Sequence, residues 1–316
     1  MKVVVVGAGA WGTAFGRLLH ERGHEVTLAC RDPDQARAIA ETGHNPNYLP
    51  DVDLRGIGAI PLADGLPESE LTVVAVPSRA FADVVRALPP DGPVLSLTKG
   101  LDPETGNRLS TLLGNRPVAV LSGPNFAEEI GHGLPAAAVV ASRDEVLASR
   151  LQTEITSLTF RVYVNTDLPG VELCAAAKNV IALAAGGVDG LGFGDNAKTA
   201  IVTRGLAEMA RLGEASGART ETFAGLAGMG DLIVTCWSRH GRNRRAGELI
   251  ARGASPEAAA AQIGTVEGLT TAPVLNELSG RLGIELPITN AVCEILEGRS
   301  LHELVAGLMG RQPTAE

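Results

Sequence analysis

Short, uninterrupted apolar runs punctuate the first half of the chain: VVVVG at 3–7, EVTLA at 25–29, LTVVAVP at 71–77, PVLSLT at 93–98, VAVLSG at 118–123 and AAAVVA at 136–141. Continuous rather than alternating apolarity marks strands covered on both faces. Between them stand the helical patterns WGTAFGRLLHERG (11–23), RDPDQARAIAETG (31–43) and AFADVVRALP (80–89). Such alternation predicts an α/β fold with a doubly wound, mainly parallel sheet. FRVYVNTD at 160–167 reads as the last strand. From Leu168 onward strand signals nearly vanish. Helices are predicted at 168–185, 195–213, 243–252, 256–262, 266–280, 287–297 and 300–309, broken by Gly and Pro. The pattern divides the chain near residue 165 into an α/β domain, 1–165, and an all-α domain, 166–316. Neither half carries an internal repeat or a low-complexity segment.

One predicted helix raises a question of energy. VELCAAAKNVIALAAGG (171–187) sets Lys178 inside an almost wholly apolar stretch. An uncompensated buried ammonium is costly, so Lys178 must snorkel to a surface, pair with an acid or do chemistry. Composition sharpens the point. Of 27 basic residues only four are lysine: Lys2, Lys99, Lys178 and Lys198. Arginine supplies the generic positive charge here. A position that keeps lysine points to a compact ammonium whose proton can be given away. The alternative is that these are residual surface lysines.

The remaining composition excludes more than it assigns. A net charge of −9 over 316 residues argues against nucleic acid or an anionic membrane as partner, and leaves room for a small anionic substrate at a local cation cluster. Cys30, Cys174, Cys236 and Cys293 form no CxxC pair and have no histidine at ligand spacing, so free thiols in a reducing cytoplasm are expected and no metal site. The apolar run of MKVVVVGAGAWG is broken by glycines too early for a signal peptide. No segment is expected to be both long and clean enough to span a bilayer.

GAGAWG (7–12) places Gly7, Gly9 and Gly12 in GxGxxG spacing, directly after a strand and at the start of a helix. These glycines permit a tight turn and close approach of backbone to a pyrophosphate at the helix N-terminus. A Rossmann-like dinucleotide-binding domain is therefore expected at 1–165. The second strand ends ACRD, which aims Arg31 at a ribose 2′-phosphate and favours NADP, with NAD tolerated; an Arg31 salt-bridged at the surface is the alternative. LTKGLD (97–102) and SGPNFAEEI (122–130) follow strands at the carboxyl edge of the sheet, where open α/β folds bind ligands. Lys99 can reach into that crevice, and the second turn offers exposed amides. In GLAGMGDLIVTCWSRHGRNRRAGELI (225–250), Asp231 lies among apolar neighbours and calls for a cationic partner. Arg239, Arg242, Arg244 and Arg245 cluster at the start of a helix, where forks and amides together suit a phosphate; a solvated charged face is the alternative.

Taken in order, GAGAWGTA, LTKG, SGPNFAEE, the Lys178–Asn179 pair, NAKTAIVTRGLAEM, GLAGMGDLIVTC, RNRRAG and VEGLTTA resemble the NAD(P)-dependent glycerol-3-phosphate dehydrogenases of bacterial type, essentially end to end. The resemblance implies reversible reduction of dihydroxyacetone phosphate to sn-glycerol 3-phosphate, a phospholipid precursor. It implies that Lys178 is the proton donor and acceptor, with Asn179 beside it. Lys99 would contact substrate and cofactor, Asp231 and Gly123 would belong to the substrate site, and Arg242 and Asn243 would hold phosphate, Arg242 also touching cofactor. Ala10, Trp11, Arg31, Ala127, Val266 and Glu267 fall on cofactor-binding positions beside the three glycines. A homodimer is expected. The chain departs from the family pattern at two substrate positions, with Asn125 after SGP and Gly241 before RNRR, both where a hydroxyl residue is usual.

Two rival readings remain open. β-Hydroxyacid dehydrogenases share a dinucleotide domain, a helical domain and a catalytic lysine, but typically place Asn or Asp four residues after it, where this chain has Ala182. A non-catalytic regulator that senses NADP would need neither Lys178 nor the arginine cluster.

Overall fold

The computed structural model describes residues 1–299. Eight strands form one sheet: β1 (Lys2–Val6), β2 (Glu25–Cys30), β3 (Gly58–Pro61), β4 (Leu71–Val74), β5 (Val94–Ser96), β6 (Val118–Ser122), β7 (Ala136–Ala141) and β8 (Phe160–Asn165). Their spatial order is β3-β2-β1-β4-β5-β6-β7-β8, and every neighbouring pair is parallel except β6 with β7. β1 shows why continuous apolarity was needed. Val3 and Val5 pack into one hydrophobic layer and Val4 and Val6 into the other, so both faces of the strand are covered. Each buried valine contributes about 1.5–3 kcal/mol relative to an exposed one.

The covering helices are α1 (Ala10–Glu21), α2 (Pro33–Thr42), α3 (Phe81–Ala87), α4 (Ala127–Gly131) and α5 (Glu145–Ile155). β3 and α5 carry no expectation from the apolar pattern. β3 is a four-residue edge strand with no fully buried residue and a terminal Pro61, so its apolar signal is weak. α5 starts at a recognisable cap, since Asp144 accepts hydrogen bonds from the amides of Val146 (2.9 Å) and Leu147 (3.0 Å).

After β8 the described chain is helical: α6 (Leu168–Leu191), α7 (Gly194–Ala215), α8 (Thr220–Ala224), α9 (Asp231–Trp237), α10 (Arg242–Ala251), α11 (Pro256–Ile263), α12 (Glu267–Leu282) and α13 (Pro287–Leu296). A single π turn, Leu226–Gly230, leads into α9. The expected helix at 300–309 lies outside the described residues. α6 is the axis of this half. Asp167 caps its first turn through the amide of Gly170 (3.1 Å), and Gly192 ends it in the left-handed conformation. It is apolar on nearly every face and buried among α7, α9, α10 and α12. Its length and composition would suffice to cross a bilayer, which corrects the expectation that no segment is long and apolar enough, yet 94% of its most apolar window is buried inside the protein.

Candidate active site

The carboxyl ends of β5 and β6 face the middle of α6 and the start of α9. Lys99 leaves the turn after β5, and its Nζ lies 2.7 Å from Asp231 Oδ2 and 3.0 Å from the Gly123 carbonyl oxygen. Lys178 projects from the centre of α6, with Nζ 2.6 Å from Asp231 Oδ1 and 2.9 Å from Thr235 Oγ1. One carboxylate thus holds two ammonium groups, one from each half of the chain. Asp231 and Lys178 are 1% and 5% exposed, which makes this a desolvated cluster with one positive charge in excess. The question raised by Lys178 has a geometric answer: it is buried and paired, and it does not snorkel.

The electrostatics follow from that burial. Desolvation lowers the Lys178 pKa from 10.5 to about 8; the Lys99 cation pushes the same way, and Asp231 opposes both. For Asp231, burial alone would raise the pKa. Two ammonium groups within hydrogen-bond reach outweigh it and hold the carboxyl below its ordinary range.

Two members of the cluster escaped the sequence reading. Thr235 lies one turn after Asp231 on α9, and its hydroxyl oxygen accepts from Lys178 while lying 3.2 Å from Asp231 Oδ1. Ser122 Oγ is 3.5 Å from Asp231 Oδ2. The i, i+4 spacing of Asp231 and Thr235 was the available signal. Ala182 is fully buried in α6 and offers no functional group at the position where the β-hydroxyacid dehydrogenase type places one.

Asn179 and Asn243 form the next layer. Asn243 donates to Asn179 Oδ1 at 2.9 Å and accepts from the Gly268 amide at 2.8 Å, linking α6, α10 and α12. One N–H of the Asn243 amide is left for a ligand. The arginine cluster is not the fourfold anion site that the spacing suggested. Arg244 is drawn away to Asp189 and Glu248, while Arg239 and Arg245 are exposed. Arg242 remains, exposed at the first turn of α10, close enough to Glu267 to act on its carboxyl electrostatically. That turn has no side-chain cap and no acidic residue.

Gly241, the N-cap of α10, explains one departure from the family pattern. A Cβ built there would lie 2.5 Å from the carbonyl oxygen of Thr235. Gly241→Ser is therefore expected to destabilise by about 1–3 kcal/mol and to raise KM for a phosphorylated substrate rather than lower it, as a melting curve and initial rates would show. At the other departure, Asn125 donates to the Ala137 carbonyl oxygen at 3.0 Å, while its Oδ1 is buried without a partner among the described residues.

The dinucleotide candidates lie at the N-terminus of α1. Gly7 has φ +105°, and a Cβ on Gly12 would meet the Gly7 carbonyl oxygen at 1.9 Å, so the turn and the helix approach more closely than any side chain permits. A Cβ on Gly9 would meet nothing within 4 Å. The first turn, beginning at Ala10, has neither cap nor acid, which suits a pyrophosphate. Trp11 packs edge-on against Phe15 (5.5 Å between centroids), and its Nε1 is a buried donor without a partner among the described residues. Arg31 is exposed at the end of β2, whereas Asp32 is spent as the N-cap of α2 (3.0 Å to the Asp34 amide). Ala127 opens α4, and Val266 is the N-cap of α12. Glu267 clamps Ser78 across the two halves, with Oε1 3.0 Å from its amide and Oε2 2.5 Å from its hydroxyl. Glu267 thereby ties the start of α12 to the segment that follows β4.

Comparison with known proteins shows the family of the chain. Models of the NAD-dependent glycerol-3-phosphate dehydrogenase N-terminus and C-terminus match residues 2–148 and 167–306. The chain belongs to the NAD-dependent glycerol-3-phosphate dehydrogenase family. It is 47% identical to the NAD(P)+ glycerol-3-phosphate dehydrogenase of Moorella thermoacetica, over 99% of this chain and 97% of that protein. The Deinococcus radiodurans enzyme of the same name is also 47% identical, over 99% and 96%. The crystal structure of glycerol-3-phosphate dehydrogenase from Coxiella burnetii superposes with a TM-score of 0.94 at 35% identity, covering 98% of this chain and 99% of that one.

Proposed function

We propose that the chain reduces dihydroxyacetone phosphate reversibly to sn-glycerol 3-phosphate with NAD(P)H, supplying the backbone of glycerophospholipids, and that Lys178 moves the proton. The observation that carries this reading is the Lys178–Asp231–Lys99 cluster at the crevice. A nicotinamide cofactor held by the glycine turn, Ala10, Trp11 and Ala127 would supply or accept the hydride. As the substrate carbonyl carbon is reduced, negative charge grows on its oxygen and needs a cation and then a proton. Lys178 has three N–H donors and spends two on Asp231 and Thr235, so the third is free for that oxygen. Transfer of this proton completes the alcohol and leaves a neutral amine, which bulk water reprotonates. In the reverse direction the neutral amine takes the hydroxyl proton. Asp231 keeps both lysines in place and moderates the fall of the Lys178 pKa.

Lys99 adds a second positive charge facing substrate and cofactor, Gly123 holds Lys99, and the orphaned Asn125 oxygen accepts from a substrate hydroxyl. Arg242, Asn243 and the uncapped amides from Arg242 onward receive the phosphate; the Gly241 amide is spent on the Ser238 carbonyl oxygen. Residues 1–165 bind cofactor through the glycine turn with Ala10, Trp11 and Ala127, joined by Val266 and Glu267 of the helical half, residues 166–316. Exposed Arg31 favours NADP. Reduced thiols suit a cytoplasmic enzyme. The exposed apolar side chains of Met229, Ile233 and Trp237, four residues apart, suit a homodimer, which sizing of the purified chain would test.

Initial rates with NADPH and with NADH on dihydroxyacetone phosphate test the activity. Substrate-dependent loss of reduced-nicotinamide absorbance is expected with both cofactors, faster with NADPH. Absence of turnover with either would overturn this reading of the activity.

A further inference from the structure

Lys198 is buried and takes no part in the cluster around Asp231. It projects from α7, with Nζ 2.8 Å from Asp189 Oδ2 near the end of α6 and 5.2 Å from the ring centroid of Trp237, the last residue of α9. The same Asp189 oxygen accepts from Arg244 Nη1, in the first turn of α10. Arg244 also donates from Nε to the Ser238 carbonyl oxygen (3.2 Å), in the segment joining α9 to α10, and pairs with Glu248 one turn on (3.2 Å). Elements α7 and α10 thus converge on a single carboxylate oxygen of α6, with the end of α9 packed against the Lys198 ammonium.

The backbones beneath this network touch. A Cβ on Gly186 of α6 would lie 1.9 Å from the Arg244 carbonyl oxygen, and one on Gly247 of α10 would lie 2.0 Å from that of Leu183. Glycines permit the approach but do not choose how far α10 is shifted along α6. A directional ion network can. In the observed register Asn243 reaches Asn179, the neighbour of Lys178, and Arg242 stands exposed beside it at the first turn of α10.

We propose that Lys198 and Asp189 are positioning residues: through Arg244 they fix the first turn of α10, and so hold Arg242 and Asn243 where the phosphate of the substrate is received. This rests on the functional reading above. Its signature separates the phosphate end of the substrate from the reacting end. A displacement of about 1 Å at a contact can cost up to about a hundredfold, whereas a substrate without phosphate has no such contact to lose.

The test compares Lys198→Met, Lys198→Arg and Asp189→Asn in the full chain on dihydroxyacetone phosphate and on dihydroxyacetone. Lys198→Met and Asp189→Asn are expected to raise KM for dihydroxyacetone phosphate roughly tenfold or more with a smaller change in kcat. The value of kcat/KM on dihydroxyacetone should stay at that of the wild type, and Lys198→Arg should restore most of the lost affinity for dihydroxyacetone phosphate. An unchanged KM, or an equal fall in kcat/KM on both substrates, overturns the proposal. If Lys198→Met does not fold, Asp189→Asn decides by the same criteria. A wild-type chain inactive on dihydroxyacetone phosphate would refute the functional reading; an active one whose variants keep wild-type KM would refute only this inference.

Discussion

Lys178→Arg is expected to lower kcat for dihydroxyacetone phosphate reduction by about 10²–10⁴, while NADPH binds as tightly as to the wild type. Charge is conserved in this variant, so electrostatic attraction to the substrate oxygen persists. What is lost is the ability to release a proton, because a guanidinium stays protonated at any working pH. The wild-type lysine has been brought to about 8 by burial, which makes it a competent donor near neutrality. The larger head group must also fit where Asp231 and Thr235 stand 2.6 and 2.9 Å from Nζ. Measuring kcat and NADPH affinity together separates chemistry from folding. Near-normal turnover would remove Lys178 from the proton transfer.

Asp231→Asn is expected to be damaging for a different reason. The carboxylate is the shared counterion of two ammonium groups, and removing one partner of a buried ion pair costs about 3–5 kcal/mol. Without it the Lys178 pKa falls further, because burial and Lys99 then act unopposed. The variant should unfold at lower denaturant and reduce more slowly at neutral pH, since a smaller share of its Lys178 amine carries a proton. The sign of the stability effect follows from the lowered Asp231 pKa. The wild-type contribution is present above the ordinary carboxyl value of 3.8 and is lost as pH falls through the lower folded value, so the two proteins should converge in stability in strong acid. Equal stability at pH 7 would show that the pair contributes nothing.

Much of this site was legible in the sequence. Lys178 stood out because an apolar helix and an arginine-rich composition made it anomalous, and Asp231 because an acid among apolar residues needs a cation. Neither argument alone brings the two together; the family resemblance put Lys99 and Asp231 near Lys178, and the fold shows that both lysines share one carboxylate. That takes a contact between the sheet edge and α9, separated by 132 residues. Thr235 was missed because a threonine in DLIVTCW gives no polarity contrast until the helix sets it one turn from Asp231. The arginine cluster misled for the opposite reason. Composition placed four cations at a helix start, but Asp189 and Glu248 claim Arg244, and only the fold brings them there. The fold itself was plain wherever strands are buried on both faces, and obscure at β3, which is short, half-exposed and at an edge.

The central claim is that one lysine donates the proton in reduction and accepts it in oxidation. The direct measurement is kcat/KM against pH in both directions for the same preparation. Reduction should be level at low pH and fall as pH rises through about 8, while oxidation of sn-glycerol 3-phosphate should rise through the same value, because the free enzyme's Lys178 sets both limbs. Two profiles bending in the same sense, or limbs at unrelated pH values, would contradict the assignment of Lys178 as the proton carrier.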